Sequence, residues 1–306
     1  MKDAYDLVII GGGPAGLTAA IYAGRARMDA LLIEMISPGG QVLTTDWIEN
    51  YPGFPEGVSG GELVMKMNEQ MERFGIEVES AEVSQVDFSE ELHRITLEDR
   101  SIACRSMIIA TGASPNKLKV PGEDTFYGKG VSTCATCDAA FYRDKVVAAV
   151  GGGDTAVQEA LFLTKFVEKV YLIHRRDELR ATKILQERAL ANEKIELVWD
   201  SVVTEIGGSG MTVDQVTVKN VKTGATRSLA VDGCFVWVGT KPNAQFIGNG
   251  LKTDDWGFIQ TDQHMQTSVH GVYAVGDVRA TPLRQIVTAV GDAAIAVHAA
   301  EAYLQK

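Results

Sequence analysis

Two thiols three residues apart, Cys134 and Cys137, are followed at once by a carboxylate, Asp138. Such a pair can close a small disulfide and reopen it by accepting two electrons. The adjacent acid can supply or take the accompanying proton. The same spacing also suits half of a zinc site, and it can arise without a function. Four cysteines in 306 residues do not make a disulfide scaffold. In a reducing compartment a paired Cys-x-x-Cys is more often catalytic or metal-binding than structural. Zinc needs a second ligand pair, and the sequence holds neither a second Cys-x-x-Cys nor a histidine cluster.

The elements that would supply electrons to such a pair lie on both sides of it. Asp6-Leu7-Val8-Ile9-Ile10 is a continuous apolar run, which predicts a strand buried on both faces of a parallel sheet. Gly11-Gly12-Gly13-Pro14-Ala15-Gly16 follows, then a helix former over Leu17–Ala23. This is the dinucleotide turn in its strand–turn–helix context. Gly11 allows the tight turn, Gly13 lets a pyrophosphate approach the backbone, and Gly16 lets the helix pack on the strand. A second apolar run, Ala30–Ile33, ends in Glu34, 23 residues after Gly11, where an acid can bind ribose hydroxyls. An acid without a cation suits FAD or NAD and disfavours a 2′-phosphate.

The pattern recurs at an offset of 140 residues. Val146–Val150 leads into Gly151-Gly152-Gly153-Asp154-Thr155-Ala156 and a helix expected over Val157–Thr164. Two such turns in one chain imply two different dinucleotides. The residue 23 after Gly151 is His174, at the end of the strand Val170–Ile173. The ribose acid is therefore replaced by His174-Arg175-Arg176, with Arg180 four residues beyond Arg176. Cations here match a 2′-phosphate, so the second ligand is expected to be NADPH. A chain pairing that site with the first most economically carries FAD in the first.

The remaining segments read as scaffold. Gly39-Gly40-Gln41 and Ile48–Phe54 form a long irregular stretch of the kind that serves function. An amphipathic helix is expected over Glu62–Phe74. Strand-like runs at Ile76–Glu79, Val83–Phe88 and Ile95–Leu97 predict a β-meander before the sheet resumes at Met107–Ala110. Thr111-Gly112-Ala113 then lies at the carboxyl edge, where open α/β sheets bind ligands. Residues 195–238 read as strands, Gly271–Asp277 as a strand ending in an acid, and Ile286–Leu304 as an alanine-rich helix opened by Arg284-Gln285. Cys104 and Cys234 fall in buried strands and read as small core residues.

Composition bounds the function class. The chain is 45% hydrophobic and 23% charged, ordinary for a globular protein large enough for two domains. Its 29 Lys and Arg stand against 40 Asp and Glu, a net charge of −11 without a basic block. Nucleic acid and anionic membrane are therefore not expected partners. No apolar run is expected to reach the ~20 residues of a membrane helix. The start lacks the basic and apolar regions of a signal peptide, so a cytoplasmic protein is expected.

Taken together, the sequence resembles the low-molecular-weight thioredoxin reductases over essentially its whole length. The resemblance rests on the two glycine turns, Gly39-Gly40-Gln41, Glu49-Asn50-Tyr51-Pro52-Gly53, Ala110-Thr111-Gly112-Ala113, Cys134-Ala135-Thr136-Cys137-Asp138, His174-Arg175-Arg176-Asp177, and Gly276-Asp277 with Arg284-Gln285. No one motif decides; their order and spacing do. Ala139 stands where the family often has Gly, and Ile286 where Ala often follows Arg-Gln. Ala139 is expected to tighten the space beside the cysteine pair.

The resemblance implies an α/β protein with two Rossmann-like domains. An FAD domain in two segments, 1–115 and 244–306, would hold an inserted NADPH domain, 116–243. It implies a homodimer, and FAD contacts at Gly40, Gln41, Asn50, Val83, Thr111, Gly112, Asp277, Arg284, Gln285 and Ile286. It also implies an electron path from NADPH through FAD to a Cys134–Cys137 disulfide and on to thioredoxin. Cys137 would stand nearer the flavin, Cys134 would attack the partner, and Asp138 would carry the proton. Because the disulfide and the NADPH turn share one domain, that domain is expected to rotate about linkers near Ala113–Lys119 and Gly239–Phe246. The alternative is an NAD(P)H-dependent flavin reductase serving another redoxin or a peroxiredoxin system. Relatives of that kind carry added thioredoxin-like domains before the flavin domain, and here the first strand begins near residue 5.

Overall fold

Residues 2–45, 47–89, 92–98 and 100–305 are described by a computed structural model. The chain forms two compact units, Met1–Ser114 with Lys241–Lys306, and Pro115–Thr240. The limits expected from sequence, after 115 and after 243, fall one and three residues from these.

In the first unit the parallel strands run in the order Glu77–Ser80, Ala30–Glu34, Ala4–Ile10, Ser101–Ile109, with Val272–Ala274 beside the last. The continuous apolar run is explained by what covers each face. Leu7 and Ile9 belong to the cluster built with the helices Pro14–Arg25, Gly60–Glu72 and Ile286–Leu304. Val8 and Ile10 belong to another, with Val86, Ile95 and Ile259. Strand Ser101–Ile109 changes partner along its length. Its first half pairs antiparallel with His93–Thr96, and Met107–Ile109 pair parallel with Val272–Ala274.

Two expectations need correction here. The run at Ile76–Glu79 is not part of the meander: Glu77–Ser80 pairs parallel with Ala30–Glu34 at the sheet edge. The helix Gly60–Glu72 supplies the crossover that a parallel pair requires. That helix starts earlier than expected because Ser59 caps it, its hydroxyl accepting from Glu62 N at 3.2 Å. The second correction concerns Ile286–Leu304. It is, by length and composition alone, apolar enough to cross a membrane. Its stripe Ala289, Ala293, Ala296, Val297 and Ala300 is instead buried in the same cluster as Ala15, Ala19 and Ala23 of the first helix. Small side chains on both helices let their backbones come close.

The second unit repeats the plan. Its parallel strands run Ile195–Val198, Lys169–Ile173, Val146–Gly151, Gly233–Trp237, Val131–Ser132. Val147 and Ala149 face the helix side, while Ala148 and Val150 face an antiparallel meander of Ser201–Gly207, Gln215–Asn220 and Thr226–Ala230. The repeat seen in the sequence is therefore a repeat of facing as well. The helix after the second turn runs Asp154–Leu163, three residues earlier than expected, since Gly153 is its N-cap. The two chain crossings, Ala113–Pro115 and Thr240–Pro242, pair as a two-stranded sheet.

Candidate active site

Cys134 and Cys137 are joined in a disulfide, with their Cα atoms 5.4 Å apart. The geometry starts from the strand Val131–Ser132, which delivers the chain to a short helix, Ala135–Asp138. Ser132 Oγ accepts from Cys134 N at 3.0 Å, and Trp237 Nε1 donates to Thr133 O at 3.0 Å. Glu159, on the helix that follows the second glycine turn, accepts from Ala135 N at 3.2 Å. Cys134 is the N-cap: its Sγ accepts from Cys137 N at 3.2 Å. When the disulfide is open, that N–H stabilises negative charge on the Cys134 sulfur. Cys137 is exposed and Cys134 half-buried. Asp138 ends the helix, and Phe141, 73% exposed, offers an apolar side chain beside the pair. The methyl group of Ala139 is buried in the core cluster with Ala135 and Val147, so it fills core volume.

In the first glycine turn Gly11 has φ +103°, and a Cβ on Gly16 would meet the Gly11 carbonyl oxygen. Both positions therefore require glycine. A Cβ on Gly13 would meet nothing within 4 Å, which leaves that backbone open to a phosphate. Pro14 begins the helix and Ala15 is buried in it. Glu34 accepts from Gly12 N at 2.6 Å and from Ile36 N at 3.1 Å. Ala81 N donates to Glu34 O at 3.1 Å, which brings the Val83 segment to this acid.

The remaining candidates of the first unit gather at the same carboxyl edge. Gly39 N donates to Gly12 O at 2.7 Å, and Gly40 folds against Gly13. Gln41 Nε2 donates to Ala113 O, and Asn50 Nδ2 donates to Gln285 Oε1 at 2.9 Å. Gln285 caps the helix that begins at Ile286, and Gly276, beside Asp277, packs on Ala15 and Ala289. Burial raises the Asp277 carboxyl above its ordinary range; Arg284 opposes this and Asp292 adds to it. Arg284 stacks on Phe258 at 4.0 Å, and its Nε is buried without a hydrogen-bond partner among the described residues.

The second turn is the same device loosened. Ala156 replaces the third glycine, and Gly151 opens to φ +155°. Gly153, like Gly13, has nothing near its missing Cβ. Asp154 Oδ1 accepts from Thr182 N at 2.6 Å. Thr155 is exposed. His174 is buried, and that burial lowers its pKa, with a hydrogen bond to Gly151 opposing and Arg180, Arg175 and Arg176 adding. Its lowered pKa favours the neutral ring at neutral pH, and among the described residues its Nε2 has no hydrogen-bond partner. The positive charge expected at this position rests on the exposed Arg175, Arg176 and Arg180.

Both sites therefore fit a dinucleotide on their own chemistry. Each has an open glycine and a buried polar nitrogen that finds no hydrogen-bond partner among the described residues. The first adds an acid and the second three cations. Among the described residues no group of His, Cys, Asp and Glu is disposed to hold a metal. Sequence reasoning missed Glu159, which no motif marks. It also missed Asn243, whose Nδ2 donates to Thr111 O at 3.0 Å and whose backbone N donates to Gly112 O at 3.0 Å. The turn Pro242-Asn243 after Gly239 was the available signal.

A family model of the pyridine nucleotide-disulphide oxidoreductases matches residues 5–293. A thioredoxin reductase of Peptoclostridium litorale is 45% identical over 312 residues, covering 100% of this chain and 99% of that protein. The crystal structure of Lactococcus lactis thioredoxin reductase in its FR conformation is 48% identical. It matches with a TM-score of 0.96 over 98% of this chain and 99% of that one. A T. acidophilum thioredoxin reductase gives a TM-score of 0.94 at 31% identity, over 98% and 99% of the two chains.

Proposed function

Because this chain belongs to the pyridine nucleotide-disulphide oxidoreductases and, within them, to the thioredoxin reductases of bacterial type, we propose that Cys134 and Cys137 are its working redox pair. The protein is an NADPH-dependent flavoprotein that reduces the disulfide of thioredoxin. The observation that carries this reading is the Cys134–Cys137 disulfide, in one chain with two dinucleotide turns of opposite charge character. FAD and NADPH, when bound, supply the two electrons that open the disulfide. The Met1–Ser114 and Lys241–Lys306 unit holds FAD through Gly11, Gly13, Glu34, Asn50, Asp277 and Gln285. Pro115–Thr240 holds NADPH through Gly151, Gly153, His174 and the three arginines.

The chain's own residues then do the following. Two electrons and two protons convert the disulfide to a dithiol, with Asp138 moving protons at the sulfurs. Cys134 Sγ, stabilised as thiolate by Cys137 N–H, attacks one sulfur of the thioredoxin disulfide and releases the other as a thiolate. Cys137 Sγ attacks Cys134 in the mixed disulfide, which closes the pair again and frees the partner as a dithiol. The enzyme works as a homodimer in the cytoplasm, and exposed Tyr22 and Met65 on the first unit's helices favour a covered surface there. Rotation of the inserted unit about the two crossings belongs to the same reading; locking the two units with a cross-link should abolish turnover, and full turnover of the locked protein overturns it.

NADPH-dependent reduction of oxidised thioredoxin, run beside Cys137→Ser, tests the function. Loss of activity in the variant is expected; equal activity removes the cysteines from the reaction. NADH in place of NADPH should work poorly, and equal rates would defeat the assignment of the arginines.

A further inference from the structure

The segment carrying the three arginines also carries acids. Asp177 and Glu178 lie between Arg176 and Arg180, and Asp200 N donates to Arg176 O at 3.2 Å, which brings a third carboxylate alongside. Left unpaired, these acids would match the arginines charge for charge. Two lysines take them up. Lys183 Nζ lies 3.3 Å from Glu178 Oε1. Lys222 Nζ lies 2.7 Å from Asp177 Oδ2 and 3.0 Å from Asp200 Oδ1.

Lys222 comes from far along the chain, on the hairpin between Gln215–Asn220 and Thr226–Ala230. That hairpin is built to hold it in place. Asn220 Oδ1 accepts from Lys222 N at 3.0 Å and from Thr223 N at 2.9 Å. Gly224, at φ +75°, closes the turn by donating to Asn220 O at 2.8 Å. Val221 N donates to Asp200 O at 2.6 Å, so hairpin and acid are fixed to each other. The arginine segment is tied down independently, with Arg180 N donating to Gly152 O at 2.7 Å and Ser201 N to His174 O at 2.9 Å. Its shape therefore does not depend on Lys222, whereas its charge balance does.

We propose that Lys222 is a specificity-determining residue for the 2′-phosphate of the nicotinamide dinucleotide: paired with Asp177 and Asp200, it offsets one of their two negative charges and so makes the field of the 174–180 segment more positive. This rests on the reading of that site as the NADPH site. Residues this close act on a phosphate within the ~8–10 Å over which charges are felt at physiological salt. Lys222 thus acts through the acids beside the arginines, and it distinguishes the phosphorylated ribose from the plain one.

The test is calorimetric titration of the holoenzyme with 2′-phospho-ADP-ribose and with ADP-ribose, neither of which can turn over. Lys222→Met should weaken the phosphorylated ligand about three- to tenfold and leave ADP-ribose within about twofold. Asp177→Asn in the wild-type background should bind the phosphorylated ligand as tightly or more tightly. Added to Lys222→Met, it should restore much of the loss. A Lys222→Met protein that discriminates as the wild type does overturns the inference. So does equal loss of both ligands without rescue by Asp177→Asn, which would make Lys222 a structural clamp. If the wild type itself binds the two ligands alike, the NADPH reading fails, a result distinct from either.

Discussion

A Cβ on Gly152 would fall 2.2 Å from Nδ1 of His174, so this glycine lies directly beneath the imidazole. Gly12 lies beneath Glu34 in the same way, and there the contact is a hydrogen bond of 2.6 Å. Each unit thus uses a bare backbone to seat the residue at the end of the strand that follows the turn's helix, Glu34 closing Ala30–Glu34 and His174 directly following Lys169–Ile173. Gly152→Ala must push the His174 ring aside and should lower the melting temperature by several degrees, on the scale of ~1–3 kcal/mol for overpacking. Gly153→Ala meets nothing in the protein. It should keep wild-type stability yet weaken 2′-phospho-ADP-ribose binding at least about tenfold, because the phosphate needs that space. Calorimetry and thermal melts on the two variants check the contrast, and a stable Gly152→Ala protein would refute it.

Buried His174 and His93 both have pKa values lowered from 6.5 by burial. Their depressed folded values mean that the unfolded chain binds protons first as pH falls. Their contribution to stability is whole above pH 6.5 and is lost as pH drops below it toward the folded values. Melting temperature should therefore decline from about pH 7.5 to about pH 5.5. His174→Gln should decline less steeply than the wild type; parallel curves would count against a role for this ring.

The glycine turns, the strands that lead into them and the cysteine pair were legible because each is local. A tight turn demands Gly11 and Gly16 within a few residues, and a buried central strand demands a run such as Leu7–Ile10. What escaped depends on facing and on distant partners. Val78 and its neighbours alternate as a meander strand would, yet this strand pairs in parallel at the sheet edge with Val78 exposed and Glu79 buried against Arg100, a facing the alternation does not reveal. The charge state of His174 was unreadable because the groups packed on its ring, Gly152 and Trp199, lie 22 residues before it and 25 after it. Glu159 and Lys222 reach the sites from a helix face and a hairpin tip, where sequence carries no mark of the partner.

Thiol reactivity should divide the four cysteines into two pairs. Burial pushes the Cys104 and Cys234 thiols up to about 12. At pH 8 their thiolate fraction is on the order of one in ten thousand. After reduction, iodoacetamide should modify Cys134 and Cys137 and leave the other two untouched until denaturant is added. Peptide mass spectrometry reads this directly, and labelling of Cys104 in the native protein would contradict its burial.

Asp292 holds the turn that carries Asp277. Its Oδ2 accepts from Gly276 N and from Arg279 Nη1, both at 3.1 Å, while Arg279 Nε donates to Thr261 Oγ1 at 2.8 Å. The two charged side chains are only 13% and 14% exposed. Removing one partner of such a pair leaves the other charge poorly solvated, and Asp292→Ala also strands the Gly276 N–H. A loss of ~3 kcal/mol is expected in denaturant unfolding. FAD should dissociate more readily, since Asp277 is no longer fixed against the helix Ile286–Leu304. The pair is a positioning device more than a source of stability, so Arg279→Met with Asp292→Leu should recover most of the stability while FAD retention stays impaired. Flavin absorbance retained through gel filtration separates the two effects. Full FAD retention in the double variant would show that packing alone holds the turn.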